Sequence, residues 1–118
     1  MTNAEFEKLA EAALKELPPF FLDKLSNIVM IVRAAPTPAQ ARRFGRGLMG
    51  LYEGISLLDR GTGYSGAMPD KITLFRKNIE AECRTEEEIG KEVRHVVMHE
   101  IAHHFGITDA ELKAKGLY

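Results

Sequence analysis

Residues 99–109 read His-Glu-Ile-Ala-His-His-Phe-Gly-Ile-Thr-Asp. A helix advances about 100° per residue, so His99 and His103, four apart, lie one turn above each other on the same face. Two imidazoles so placed can share one metal ion. Glu100 follows the first of them and projects about 100° away around the axis. In this H-E-x-x-H arrangement the two histidines ligate and the glutamate serves as a base. Gly106 then permits a sharp reversal, and Asp109 falls six residues past His103.

Zinc accepts neutral imidazole and carboxylate, and a catalytic zinc uses three protein ligands and a water. Many H-E-x-x-H enzymes take the third ligand from a glutamate on a distant later helix. Only 15 residues follow His103 here, so the third ligand is expected close by. The nearby carboxylates are Asp109 and Glu111, and the Gly106 turn carries Asp109 back toward His103. The spacing matches the metzincin pattern H-E-x-x-H-x-x-G-x-x-H with Asp in the last place. The rival account of Asp109 is an acidic residue favoured in a helix's first turn by the dipole. His104 points about 100° away from His103 and reads as a supporting or surface residue. His95 lies one turn before His99 on a solvated stripe with Glu88 and Glu92; orienting substrate or binding a product carboxylate is its alternative role.

The elements around the motif follow from local signals. Thr85-Glu86-Glu87-Glu88 forms a capping box, and Ile89, Val93, Val96, Val97, Ile101 and Phe105 continue the helix to Gly106. Thr108-Asp109-Ala110-Glu111 is a second box, starting a short helix to about Lys115. Upstream, Lys71 to Arg76 is a strand by β-propensity. Residues 59–70 are a loop. Leu48 to Ile55 is a weaker strand, interrupted by Gly50 and Gly54. Thr37-Pro38 starts a helix that ends near Gly45. Ile28 to Val32, uniformly apolar, reads as a strand buried on both faces. Residues 3–17 form an amphipathic helix stopped by Pro18-Pro19, and a second short helix covers Pro19 to Leu25. The expected fold class is α+β: a sheet of three or four strands packed on helices, with the metal site on the penultimate helix.

Composition narrows the classes. The chain has 118 residues, is 45% hydrophobic and 28% charged, and carries a net charge of −1, which fits one globular domain over 1–118 and argues against nucleic acid as a partner. No apolar run approaches the ~20 residues that span a bilayer. Glu5, Glu7, Glu11 and Glu16 make the first segment acidic and unlike a signal peptide. Cys83, the single cysteine, cannot pair internally and reads as inert. A cytoplasmic protein is expected. Gly61-Thr62-Gly63-Tyr64-Ser65-Gly66 spells a dinucleotide fingerprint, but Pro69 and a strand follow instead of a helix, so it reads as a loop that can cover a cleft. Arg42, Arg43 and Arg46 read as a solvated helix end. Tyr52, Tyr64 and Arg76 are candidate oxyanion stabilisers.

From Leu51-Tyr52-Glu53-Gly54 through Lys71 to Phe75 and Thr85 to Glu88, and then His99 to Asp109, the chain resembles a family of small bacterial zincin-like metallopeptidases. Only the final motif, H-E-x-x-H-x-x-G-x-x-D, is specific. The resemblance implies a minimal zincin fold, one Zn2+ held by His99, His103 and Asp109, and Glu100 as base. The function expected is a zinc-dependent peptide hydrolase acting on peptide or protein, in which a metal-bound water activated by Glu100 attacks the scissile carbonyl. Zincins commonly hold substrate as an added strand on a sheet edge, and strand 71–76 is the candidate edge. One rival is a metal-dependent endoribonuclease of the zincin-like ribosomal-RNA maturation type. Its ligand spacing His-x3-His-x5-His fits residues 99, 103 and 109, but it looks to carry Gly where Glu100 stands. The other rival is a metal-binding module with little turnover.

Overall fold

The computed structural model describes residues 1–54 and 69–116. The chain runs α1 (Asn3–Leu14), α2 (Pro19–Leu25), β1 (Ile28–Arg33), α3 (Pro38–Phe44), β2 (Gly50–Glu53), β3 (Asp70–Phe75), α4 (Arg76–Ala81), α5 (Glu86–His104) and α6 (Asp109–Ala114). The fold is α+β, with six helices and a three-stranded mixed sheet among the described residues. The glycine-rich stretch 61–66, Tyr64 and Ile55 lie outside them.

The strand order is β1-β3-β2, with β1 parallel and β2 antiparallel to β3. This order corrects two expectations. Strand 71–76 is central, so it is not the edge that an added strand would extend; the edges are β1 and β2. Residues 28–32, expected to be buried on both faces, form an edge strand with Val29 44% exposed. The uninterrupted burial belongs to Ile72–Phe75 of β3, hydrogen-bonded on both sides.

Helices α1 and α5 pack together and against the sheet, α1 over β1 and α5 over β2 and β3. Phe6, Ala10 and Leu14 of α1 meet Val93, Val97 and Ile101 of α5, with Phe21, Ile72, Leu74 and Leu112 closing the core. Each fully buried aliphatic or aromatic side chain there contributes about 1.5–3 kcal/mol.

The caps explain where the helices begin. Thr2 and Glu5 exchange reciprocal bonds at α1, as do Thr37 and Gln40 at α3. At α5 only half the expected box forms. Thr85 Oγ1 accepts Glu88 N–H (3.1 Å), but Glu88 Oε2 accepts from Arg84 N–H (2.6 Å), one residue further back. At α6 Thr108 Oγ1 accepts Glu111 N–H (3.2 Å), without the reciprocal bond among the described residues. Helix α4 carried no signal in the sequence: it leaves β3 directly, and its N-cap Phe75 has no capping side chain. Its Asn78 amide donates to Arg46 O (2.8 Å) and Leu48 O (2.7 Å), fixing the segment that leads into β2.

Candidate metal centre

Helix α5 does two jobs at its C-terminal end. Val97 and Ile101 point into the core, fully buried, while His99, Glu100 and His103 border the surface. The His99 and His103 rings lie 4.0 Å apart between centroids, tilted by 53°. The turn-to-turn spacing read from the sequence is therefore realised as a close imidazole pair. The helix stops as Gly106 requires. Gly106 adopts φ +69°, its N–H donates to His103 O (3.2 Å), and Ile107 N–H donates to Ala102 O (2.7 Å). These two bonds define a Schellman turn, which satisfies the terminal carbonyls and swings the chain into α6.

Electrostatics suit a ligand set. Burial and the neighbouring His103 hold the His99 imidazolium below its usual pKa, while Asp109 pulls it up and His95 presses it down. A metal-binding imidazole must be neutral, and these causes favour neutrality. Among the described residues His99 Nδ1 is buried with no hydrogen-bond partner. Buried polar atoms are ordinarily paired, so an unsatisfied ring nitrogen marks a position where the described residues supply no partner. Asp109 is exposed at the first position of α6, near enough for its charge to act on His99. No group of three His, Cys, Asp or Glu side chains among the described residues converges on one metal-sized point. The structure thus brings His99 and His103 together and leaves Asp109 on the adjoining turn. The donor set of two imidazoles and a nearby carboxylate suits zinc in its chemistry.

Burial raises the Glu100 carboxyl above its ordinary pKa, and a bond from the Tyr52 backbone N–H and the nearness of His103 lower it in part. Gly50 makes this contact possible. A Cβ there would lie 2.6 Å from Val96 Cγ1 and 3.5 Å from Glu100 Cγ, so only glycine lets β2 approach α5 this closely. Phe75 N–H donates to Met49 O (2.9 Å), and by antiparallel alternation Leu51 also faces β3. Gly50 and Tyr52 therefore turn their peptide groups to the open edge of the sheet, where Glu100 takes one of them.

That edge borders a trough. A hollow of about 310 Å³ runs from Gly47 to Gly50 opposite Glu92, His95 and His99. It shares Leu48 and Glu100 with a second, of about 400 Å³, walled by Phe44, Leu51, Tyr52 and His103. A third, of about 440 Å³, shares Phe44, Leu51 and Tyr52 and continues past Arg43 to Gly54. Sequence reasoning missed this wall, because Gly50 and Gly54 were legible only as interruptions of a strand.

The other candidates are placed as follows. Tyr52 stacks on His104 (centroids 3.9 Å, 18°), and its hydroxyl donates to Asp70 Oδ2 (2.7 Å). Burial and that carboxylate push the phenol well above its usual pKa. His104 Nε2 lies 3.9 Å from the same oxygen, so His104 joins α5 to the end of the sheet. Arg76 binds Asn3 Oδ1 (2.7 Å) and Glu80 Oε2 (3.2 Å). Burial and Glu92, Glu88 and Glu82 push the Cys83 thiol up, away from the reactive thiolate.

The sequence model of a family described as Zincin-like metallopeptidase matches residues 25–117, which include the whole sheet, α5 and α6. The chain belongs to the zincin-like metallopeptidase family. No curated protein matches it. For this zincin-like chain, family membership supports hydrolase chemistry with zinc in general, and the three-stranded sheet with the H-E-x-x-H helix is consistent with a minimal zincin-like domain. No helix among the described residues is long and apolar enough to cross a membrane.

Proposed function

We propose that this zincin-like protein is a zinc-dependent peptide hydrolase with Glu100 as its general base. The observation that carries the reading is the placement of Glu100, half-buried beside the paired His99 and His103 rings and at the middle of a trough along an open strand edge. His99 and His103 would hold one zinc ion, with Asp109 as third ligand from the turn beyond Gly106. Bound zinc supplies Lewis acidity, polarising a scissile carbonyl and lowering the pKa of water to about 7.

The remaining work belongs to the chain. Glu100 takes a proton from the attacking water and delivers it to the leaving amine, and a carboxyl raised by burial is better matched to both transfers near neutral pH. The edge of β2 supplies outward peptide groups at Gly50 and Tyr52, to which an extended substrate adds as a strand. That pairing holds the substrate's own backbone alongside Glu100.

Glu100→Gln keeps the side chain's shape and removes its basicity. Zinc content should stay stoichiometric while kcat on a cleavable peptide falls by about 10²–10⁴-fold. Zinc retained together with full activity would remove Glu100 from the mechanism. Structured RNA incubated in parallel should remain intact.

A further inference from the structure

The trough is not uniformly charged. At one end the hollow opposite Gly47 to Gly50 carries Glu92 with His95, and among the described residues no Lys or Arg lines it. Leu48, Met49 and Val96 give that hollow apolar walls, suited to the methylene stem of a long basic side chain. No Lys or Arg pairs with Glu92 among the described residues. At the other end the guanidinium of Arg43 stands 5.1 Å over the Phe44 ring. Arg43 has no carboxylate partner among the described residues. Glu53, the one carboxylate lining that end among the described residues, lies 3.5 Å from Lys71 Nζ across the strands. Between the two ends, the stretch shared with Glu100 and His103 is walled by Phe44, Leu48 and Leu51.

The spacing suits an extended peptide. Glu92 and Glu100 are eight residues apart on α5, about 12 Å along a helix axis. An extended chain covers that distance in three to four residues. On the other side, Gly50 beside Glu100 and Glu53 beside Arg43 are three residues apart on β2, roughly 10 Å.

We infer that the trough selects its peptide by charge, seating a basic side chain against Glu92 and an acidic one near Arg43, about six or seven residues apart, with an apolar residue between them. This rests on the peptidase reading, and it names the substrate class that such an enzyme would take.

The test separates the two claims by measuring binding as well as cleavage. Fluorescein-labelled nonapeptides with a leucine centre carry Lys toward one end and Glu toward the other, in both chain directions, alongside a neutral control. Their binding to the zinc-loaded Glu100→Gln protein is read by anisotropy. One charged direction should bind on the order of tenfold tighter than the control, and the advantage should shrink in high salt. Glu92→Lys and Arg43→Glu should each remove most of that advantage, and the double variant should favour the peptide with its charges exchanged. Glu92→Gln, a milder change, guards against misfolding and should give the same direction of effect. Equal binding of all three peptides, no binding of any, or a ranking that the variants leave alone overturns the inference. The same peptides are then offered to the wild-type enzyme. Charge-selective binding without cleavage defeats the peptidase reading and leaves the charge assignment standing; cleavage without charge selection does the reverse.

Discussion

At the scale of single residues, the site depends on one glycine as much as on its charged groups. Gly50 sits where a methyl group would fall 2.6 Å from Cγ1 of the buried Val96, closer than two carbons can approach. Gly50→Ala is expected to push β2 off α5 and loosen the Tyr52 contact to Glu100. A loss of about 1–3 kcal/mol is expected from urea unfolding of the metal-free protein. Asp109 poses a different question, because a ligand and a helix-favouring charge predict different losses. The α6 cap itself is the Thr108 hydroxyl. As a ligand, Asp109→Asn should weaken zinc binding by at least tenfold in chelator competition, while the apo melting temperature moves little. A shift in apo melting with unchanged zinc affinity would assign Asp109 to the helix alone.

At the scale of elements, what was legible depended on whether the signal was local. The N-caps of α3, α5 and α6, the Gly106 stop and the imidazole pair are all written within a few consecutive residues, and they appear where the sequence places them. Helix α4 has no cap of its own and was missed. The link between Glu100 and Tyr52 spans 48 positions and the Tyr52–Asp70 bond spans 18, so no local pattern announces either. The α1 box gives this locality a pH signature. Bonds from the Thr2 backbone N–H and hydroxyl region hold Glu5 below its ordinary carboxylate pKa. A lowered carboxylate contributes stability that is complete above its unfolded value near 4.5 and is lost as pH falls through the folded value. The melting temperature of Glu5→Gln should therefore lie below that of wild type at pH 7, with the gap closing as pH is lowered toward 2.

At the scale of the whole molecule, strand order was the least legible feature. The run 28–32 is the most apolar short segment in the chain, yet it lies at an edge, while 71–76, with its broken alternation, lies at the centre. Order is decided by what packs on each strand, and β3 is paired on both sides and covered by α5. Unfolding should expose this difference. Ile72→Ala, at a fully buried central position, should cost about 2–5 kcal/mol, a large share of the 5–15 kcal/mol typical of a domain. Val29→Ala, on the open edge, should cost about 0.5 kcal/mol or less by the same measurement. The opposite edge, β2, has a further consequence. Its Tyr52 amide is held by the carboxylate of Glu100. A peptide strand that paired with that amide would displace the carboxylate as it docked. Glu100 would then act as a latch in the empty protein and be released by the arrival of the chain it is to cut, so that occupancy itself would arm the site.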